Sequence, residues 1–328
     1  MKAREHAFSL LARQAAFAVF LVLCARSASA DEAAAWLQRA ANAARQLNYT
    51  GTIVYQHGGR VETSHLVHML DGRNEFEKLV NLEGPAREVI RNDEQIRCYY
   101  PDAKIIRIEP RTFRNAFPSL LPPQLNALAQ YYLFRKAEQA RIAGLEAQAY
   151  VFEPKDGLRY GHKFWADIGS GLLLKARLLN EKNEPVEQFA FTDIQIGGKL
   201  DRELVKPPFE TPPADWQVRE ALPGEVVPQE TGWLVREIPP GFSKVVEGYR
   251  QLRGKAVAHI VYSDGLVAVS VFVEPMPPTP QQVGPSQQGG INIYSRQLDN
   301  NYLVTVLGEA PGVTVKQIAF SVVRKPPP

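Results

Sequence analysis

The sequence predicts an α+β protein, in which a large, curved antiparallel half-barrel sheet covered by helices precedes a smaller α/β domain with its own antiparallel sheet. Short strand-like runs follow one another through tight turns, which is typical of antiparallel meanders rather than parallel crossovers. Helical periodicity is confined to short segments between these runs. A proline-dense stretch divides the 328 residues, and this length is sufficient for two domains with separate cores.

The first thirty residues have the pattern of a cleaved secretory signal peptide. Basic residues precede the apolar run AAFAVFLVLCA, and SASA follows with the small residues of a cleavage site. The run is shorter than the about 20 apolar residues of a membrane-spanning helix. Cys24 raises the alternative of a lipoprotein signal, although Leu23 is larger than the residue expected before such a cysteine. We therefore expect an exported, soluble protein that begins at Asp31.

Cleavage would change the charge and the cysteine content of the chain. The full chain has 38 Lys+Arg and 35 Asp+Glu, and its first thirty residues hold four of the basic and one of the acidic groups. The mature chain would carry 34 of each, so its charge gives no reason to expect a nucleic-acid partner. Cys98 would remain as a single cysteine, which excludes an intrachain disulfide.

Residues 31–206 are expected to form the larger domain. A helix capped by Asp31 is predicted first, because apolar residues recur on one stripe: Trp36, Leu37, Ala40, Ala41, Ala44 and Leu47. Strands are predicted next in YTGTIVYQH, RVETSHLVHML, EFEKLVNL and REVIRNDEQIRCYYPDAKIIRIEP. The segment LNALAQYYLFRKA, residues 125–137, predicts a second helix. Further strands are predicted in AQAYVFEP, RYGHKFWADI, LLLKARLLN and EPVEQFAFTDIQI.

The second group of strands in this domain carries many large apolar residues. Such a face is a core in most sheets, but here two helical segments would have to cover many strands. This leaves room for an apolar cleft that binds a lipid, and both interpretations stay open. The residues expected in the cleft are Phe164, Leu172, Leu174, Leu178, Phe189 and Phe191.

Residues 207–230 are expected to be a linker and hinge, because their prolines lack the donor for sheet pairing and favour extended backbone. The smaller domain would span residues 231–323, and residues 324–328 would be a tail. Its central feature, HIVYSDGLVAVSVFVEP, predicts two strands around a Ser-Asp-Gly turn. Apolar residues occur on both faces of the second strand, so we expect both faces to be covered.

The rest of the smaller domain predicts a loop, a hairpin and a helix. The segment EPMPPTPQQVGPSQQGG is too rich in proline and glutamine to predict a strand, and we expect a mobile loop there. The segment NIYSRQLDNNYLVTVLGEA predicts a hairpin, and GVTVKQIAFSV predicts a closing helix beneath the sheet. The domain is thus expected to combine an antiparallel sheet with one covering helix.

The sequence offers only incomplete catalytic and metal-binding motifs. His65 and His68 are three residues apart in a predicted strand, so their side chains would point to opposite faces. Ser170 lacks the first glycine of a nucleophile elbow, because Ile168 occupies that place. We expect neither a catalytic residue nor a metal or cofactor site. A hydrolase with an unrecognised site remains an alternative.

Several long stretches of the chain resemble one known family. These are NYTGTIVYQHGG, RYGHKFWADIGSGLLLKARLLNEKNEPVEQFAFTDI, HIVYSDGLVAVSVFVEP and GGINIYSRQLDNNYLVTVLGEAPGVTVKQIAFSV. Together they resemble the RseB/MucB family of periplasmic negative regulators of the sigma-E (AlgU-type) envelope-stress response. The resemblance spans almost the whole mature chain, and it implies a larger domain folded like the lipoprotein carriers LolA and LolB.

The resemblance also implies a function without catalysis in the periplasm. The partner would be the periplasmic segment of a membrane anti-sigma factor of the RseA/MucA type, which the protein would protect from site-1 proteolysis. Lipopolysaccharide or the acyl chains of a mislocalised lipoprotein would cause release. For partner contact we expect Arg250, Arg253, Tyr262 and Phe272. A periplasmic lipid or lipoprotein carrier is the alternative function, and a homo-oligomer is compatible with the sequence.

Overall fold

The computed structural model describes residues 32–110, 117–122, 127–220, 227–252, 254–277 and 282–326. The predicted signal peptide and its cleavage site lie outside these ranges, and so do the proposed helix cap Asp31 and the proposed contact residue Arg253. Within the described ranges, no helix has the length and hydropathy needed to cross a membrane.

Twelve described strands form one large sheet in the first two thirds of the chain. They are β1 (Tyr49–His57), β2 (Arg60–Asp71), β3 (Asn74–Asn81), β4 (Glu88–Arg91), β5 (Gln95–Tyr100), β6 (Ile105–Pro110), β7 (Tyr132–Ile142), β8 (Leu145–Pro154), β9 (Gly161–Asp167), β10 (Leu173–Leu179), β11 (Pro185–Ile196) and β12 (Gln217–Glu220). Their order is β12-β6-β5-β4-β3-β2-β1-β11-β10-β9-β8-β7. The predicted antiparallel meander is thereby confirmed.

The large sheet consists of two meanders joined in its middle. Strands β1 to β6 form one meander and β7 to β11 the other, and β1 pairs antiparallel with β11. Tight turns connect neighbouring strands at residues with positive φ, including Gly58 at 57°, Gly144 at 85° and Asn183 at 61°. Glycine and asparagine adopt this backbone conformation at the lowest cost, so these positions set the strand register.

Helix α1, residues 32–46, packs against the sheet as its apolar stripe predicts. Leu37, Ala40 and Ala44 are each 1% exposed, and they share one core with apolar residues of the second meander. Trp36 stacks on Tyr150 of β8, with 4.4 Å between the ring centroids. The helix therefore covers the apolar side of the sheet and closes the larger core.

The helix predicted over residues 125–137 is wrong for most of its length. Only α2 (Leu128–Tyr131) is helical among the described residues of this segment, and β7 begins at Tyr132. Tyr132 is buried, Leu133 is exposed and Phe134 is half-buried, which is the alternation of a strand with one covered face. Pairing with β8 along almost its whole length outweighs the helical preference of this sequence.

The proline-rich stretch between the domains contains ordered strands and side chains packed on the sheet. Strand β12 pairs with β6 in parallel, which is an exception to the antiparallel pattern of the large sheet. Phe209 and Trp216 pack against a small cluster formed by Ile90, Tyr99 and Ile106. Much of the predicted linker thus contacts the larger domain. The proposed domain limits, residues 206 and 231, stay a prediction.

The described part of the smaller domain has a sheet of seven strands, a pair of short strands and one helix. The elements are β13 (Val227–Pro228), β14 (Trp233–Val235), β15 (Ser243–Leu252), β16 (Lys255–Ser263), β17 (Ala268–Pro275), β18 (Gly284–Gln288), β19 (Ile291–Leu298), β20 (Tyr302–Gly308), α3 (Gly312–Ser321) and β21 (Val322–Arg324). The seven-stranded order is β13-β15-β16-β17-β20-β19-β18, and β14 pairs with β21. The predicted hairpins and the closing helix are confirmed.

Two expectations for the smaller domain are corrected. Strand β17 is fully covered on one face only, since Val269 and Val271 are 0% exposed whereas Phe272 is half-buried. The stretch expected to be a loop contains β18, which lies at the edge of the sheet and includes Pro285. An edge strand tolerates proline because one side of its backbone needs no partner in the ladder.

Candidate functional site

The structure separates the residues expected to contact a partner. Tyr262 is 2% exposed and packs in the core of the smaller domain, so its proposed contact role is corrected. Strand register places it opposite Val269, on the face that α3 covers. Arg250 and Phe272 are half-buried and lie on the other face of the same sheet. On that face, the ring of Phe272 stacks on His259 with 4.3 Å between centroids.

The six residues expected in an apolar cleft are mostly packed inside the protein. The core beneath α1 buries Phe164, Leu172, Leu174 and Phe191. Phe189 is partly buried and packs against that core. Leu178 belongs instead to the core of the smaller domain. The expected residues Leu172, Leu174 and Phe191 are 0–2% exposed. The apolar face is therefore filled by packing over most of its area, and an open cleft along it is not present among the described residues.

A buried ion pair joins the two domains. Arg159, between β8 and β9, donates from Nη1 to Oδ2 of Asp264 at 3.2 Å, and both side chains are 0% exposed. Asp264 lies in the Ser-Asp-Gly turn between β16 and β17. The hydroxyl of Tyr132 donates to the same carboxylate oxygen at 3.0 Å. This turn is therefore anchored in the larger domain by a charge-assisted contact without access to water.

Both ends of this ion pair are satisfied by further hydrogen bonds. The remaining donors of Arg159 reach Asp156 Oδ1 and Oδ2, each at 3.0 Å, and the carbonyl of Pro240 at 2.5 Å. The second oxygen of Asp264 accepts from the backbone N–H groups of Leu266 and Val267, each at 3.0 Å. Full pairing offsets the desolvation of two buried charges. The arrangement fixes the turn against the larger domain. The contact between the two domains around Arg159 and Asp264 is called the seam.

Three neutral hydrogen bonds extend the seam away from the ion pair. Thr314 Oγ1 at the start of α3 donates to the carbonyl of Leu158 at 2.7 Å. Asn292 Nδ2 on β19 donates to the Tyr160 hydroxyl at 2.8 Å. Gly290 N–H, before β19, donates to His57 Nε2 at the end of β1, at 2.6 Å. These contacts place α3 and the β18–β19 hairpin against the larger domain.

A cavity of ≈ 50 Å³ lies at the seam. Its apolar wall includes three of the expected cleft residues, Phe164, Leu178 and Phe189, and also Leu266 of the smaller domain. The lining also includes His162, which is 7% exposed and has no hydrogen-bond partner on Nε2 among the described residues. Burial lowers the pKa of His162 to about 4, so its imidazole is neutral at physiological pH.

Two carboxyl groups, one from each domain, complete the cavity wall. Glu187 of β11 and Glu309, just after β20, line the cavity together and their carboxyls are hydrogen-bonded to each other. Burial, then the charge of Glu309, raises the pKa of Glu187 to about 8. Burial also raises the pKa of Glu309. One proton is therefore retained between the two carboxyls at neutral pH.

Sequence similarity decides the family of this chain. The MucB/RseB N-terminal domain matches residues 32–209, and the MucB/RseB C-terminal domain matches residues 227–323. The chain belongs to the MucB/RseB family. Members of this family with which it aligns include the sigma factor AlgU regulatory protein MucB of Pseudomonas aeruginosa, 30% identical over 89% of this chain and 91% of that protein. The sigma-E factor regulatory protein RseB of Salmonella typhimurium is 31% identical over 90% of this chain and 92% of that protein.

Solved structures of MucB are similar to this chain in both fold and sequence. A crystal structure of MucB in complex with MucA(peri) matches with a TM-score of 0.72 and 29% identity, over 90% of this chain and 100% of that chain. The complex of Pseudomonas aeruginosa MucA and MucB matches with a TM-score of 0.73, also at 29% identity and over the same shares. The match covers both domains, so the larger and the smaller sheet are common to this chain and MucB.

Sequence reasoning missed the polar residues of the seam. It selected the Ser-Asp-Gly turn but assigned Asp264 to turn formation, and it gave no role to Arg159, Glu187 or Glu309. Their sequence surroundings carry no signal, because each pair joins residues more than 100 positions apart. For metal binding, the described residues contain no group of three or more His, Cys, Asp or Glu side chains suited to hold an ion.

Proposed function

We propose that this protein is a periplasmic regulator that binds the periplasmic segment of a MucA-type anti-sigma factor and shields it from its first proteolytic cut. The observation that carries this proposal is the match, over 90% of this chain, to MucB in its complex with MucA(peri). The two-domain chain acts by occupancy and has no catalytic step. A binding role is consistent with a seam whose charged groups are used in structural pairs.

The proposed contact surface is the outer face of the smaller sheet. Arg250 and Phe272 share this face, and Arg253 follows in the same basic stretch. Aromatic and arginine side chains are enriched in protein interfaces and often form hot spots there. The extended periplasmic segment of the anti-sigma factor would add apolar anchors against Phe272 and acidic groups against the arginines.

The first experiment mixes the purified protein, the periplasmic segment of the anti-sigma factor and the site-1 protease. The regulator should delay cleavage of the segment in proportion to its occupancy. Phe272→Ala and Arg250→Glu should each weaken binding at least tenfold. Phe320→Ala, at a 57% exposed ring on α3, is the matched control and should leave affinity unchanged. Cleavage at an undiminished rate with saturating protein would reject the proposed function and leave a carrier as the alternative.

We further propose that a lipid-like signal, lipopolysaccharide or a lipoprotein acyl chain, causes release of the anti-sigma factor. The cavity at the seam is ≈ 50 Å³, whereas pockets that hold drug-sized ligands have volumes of about 300–1,000 Å³. An acyl chain would therefore enter only if the two domains separate along the seam. A ligand that binds the open form better than the closed form would shift the partner equilibrium by that difference in affinity.

The lipid proposal is tested by locking the seam. Cysteines introduced at Leu158 and Thr314, whose backbone and side chain meet across it, would form a disulfide in a Cys98→Ser background. Lipopolysaccharide should restore cleavage of the anti-sigma segment in the reduced protein, but not in the oxidised protein. Equal restoration in both forms would refute the need for domain separation. The reduced sample serves as the control for the substitutions themselves.

A further inference from the structure

The two ends of the seam are held by different chemistry. Arg159 and Asp264 form a buried ion pair of opposite charges. Glu187 and Glu309, at the cavity, attract each other only through a shared proton. If both were ionised, two negative charges would face each other in a half-buried site. The stability of this end of the seam therefore depends on protonation.

We propose that Glu187 and Glu309 form a proton-dependent clasp between the two domains, closed while the pair holds one proton and open when both carboxyls are ionised. The clasp is a property of this chain alone and does not require a bound partner. Opening would separate Leu266 from Phe189 and Leu178, and would thus expose the apolar wall of the cavity. The Arg159–Asp264 pair would act as the pivot because its attraction does not require a shared proton.

Among the described residues, no lysine or arginine forms an ion pair with either carboxyl of the clasp, although the charge of His57 lowers the pKa of Glu309. Arg177 lines the same cavity, but its guanidinium donates to Gln188 Oε1 at 2.6 Å and lies over the Trp165 ring. The other titratable groups that face the clasp are Tyr55 and His57 on β1, Glu62 on β2 and His162 on β9. The hydroxyl of Tyr55 is hydrogen-bonded to Glu187. Protonation of one carboxyl is thus the direct way to remove the repulsion between Glu187 and Glu309.

The pH range follows from the sign of the shift. The pKa of Glu187 is about 8 in the closed form and 4.5 when the group is fully solvated. The closed form therefore binds one more proton than the open form between these values, and acid favours closure. The ratio of closed to open molecules falls about tenfold for each pH unit in this range and becomes constant above pH 8. Stabilisation by the clasp is complete below pH 4.5 and lost as pH rises through 8.

The test measures the distance between the domains without any partner. Spin labels are attached at Lys182→Cys, in the exposed β10–β11 turn, and Lys316→Cys, on the exposed side of α3, in a Cys98→Ser background. Pulsed electron paramagnetic resonance is then recorded from pH 6.5 to 9. A second distance population should grow with pH and reach a plateau above pH 8. An unchanged distance distribution over this range would overturn the proposal.

Variants of the carboxyl pair assign the effect to the clasp. Glu187→Gln/Glu309→Gln keeps the shape and hydrogen-bonding capacity of both groups, and it should remove the pH response. If the double variant does not fold, Glu187→Gln alone removes the repulsion between the two carboxyls and should reduce the pH response, leaving only the part due to burial of Glu309. Glu181→Gln, at an exposed glutamate near the same label, should respond like the parent protein. A full pH response in the Glu187→Gln/Glu309→Gln protein would refute the clasp.

Because no anti-sigma factor is present, failure of this measurement would leave the proposed regulatory function standing. Conversely, the distance change could occur in a protein that does not protect the anti-sigma segment. The two outcomes are therefore distinguishable. If both hold, alkaline conditions should lower the concentration of lipid needed for release, since the open form would already be more populated.

Discussion

At the scale of the single residue, Asp264 performs two structural tasks with its two carboxylate oxygens. Oδ1 accepts the backbone N–H groups that shape the turn, and Oδ2 accepts from Arg159 and Tyr132 across the seam. Burial, then the charge of Asp264, raises the pKa of the Tyr132 hydroxyl, so this hydroxyl remains a donor at all physiological pH values. One short side chain thus couples a local turn to the contact between domains.

The Arg159–Asp264 pair should dominate the electrostatic stability of the seam. Arg159→Met leaves a buried carboxylate without its cation and should lower the free energy of unfolding by about 3–5 kcal/mol. Asp264→Asn should have a similar effect, and the double variant should lose less than the sum of the two. Urea denaturation of the four proteins measures this coupling.

An exposed ion pair supplies the matched control for this cycle. Arg135 pairs with Glu153, and these side chains are 60% and 41% exposed. Arg135→Met should therefore cost less than about 1 kcal/mol, because water already solvates both charges. If the two arginine variants lost equal stability, burial would not be the reason for the effect.

At the scale of the element, the pairing of β1 with β11 joins the two meanders into one sheet. Gly51 of β1 lies so close to β11 that a Cβ atom there would stand 2.3 Å from the Asp193 carbonyl oxygen. The register of this pair shifts between Thr52 and Ile53, directly after the close approach. A β-bulge of this kind increases local twist and curvature.

Gly51→Ala should disturb the junction of the two meanders. The added methyl group meets backbone atoms, which cannot rotate away as a side chain could, so a loss of about 1–3 kcal/mol is expected. Gly59→Ala is the matched control, because a Cβ at Gly59 has no heavy atom within 4 Å. Chemical denaturation should detect the difference, and equal stability of both variants would contradict the packing argument.

The prediction of elements succeeded where local sequence and pairing agree. The β1–β2 hairpin at Gly58, helix α1 and helix α3 follow from turn residues and periodicity that tertiary contacts reinforce. Residues 132–142 contain good helix formers, yet their pairing with β8 makes them a strand. Residues 284–288 contain proline, yet the sheet edge accepts them as β18. In both cases pairing with the next strand along the chain outweighed the local preference.

At the scale of the whole molecule, the boundary between the two domains has an apolar part and a polar part. Tyr160 and Leu178 of the larger domain belong to the core cluster of the smaller domain. The ion pair, the neutral hydrogen bonds and the carboxyl clasp border this apolar contact. Apolar packing across a domain boundary opposes relative motion of the domains, and here Tyr160 and Leu178 provide such packing.

The seam should couple the unfolding of the two domains. Calorimetry of the parent protein at pH 6.5 should show a single transition, because the smaller domain cannot lose the seam without exposing Tyr160 and Leu178. In Arg159→Met the transition should broaden or divide, since the coupling is weaker than the stability of each core. A divided transition already in the parent protein would show that the two domains unfold independently.

The candidate site was predictable only in its apolar part. Phe164, Leu178 and Phe189 were identified from strand alternation and do line the cavity. Tyr262 was misplaced because alternation shows that residues share a face, but does not show which face is buried. Arg159 and Asp264 escaped prediction because a charged residue between two strands resembles an ordinary exposed turn, and Glu187 because it resembles an exposed position of a strand.

The sequence by itself determined the family, the antiparallel character of the larger part and the presence of a second sheet, because periodicity, turn residues and long stretches of similarity are encoded locally. Only the tertiary structure decided that Arg159 meets Asp264 and that Glu187 meets Glu309. These contacts depend on how the two sheets are placed relative to each other. This placement follows from the summed packing of many residues that are distant in the sequence. A carboxyl group becomes part of a clasp through its surroundings rather than through its neighbours in the chain.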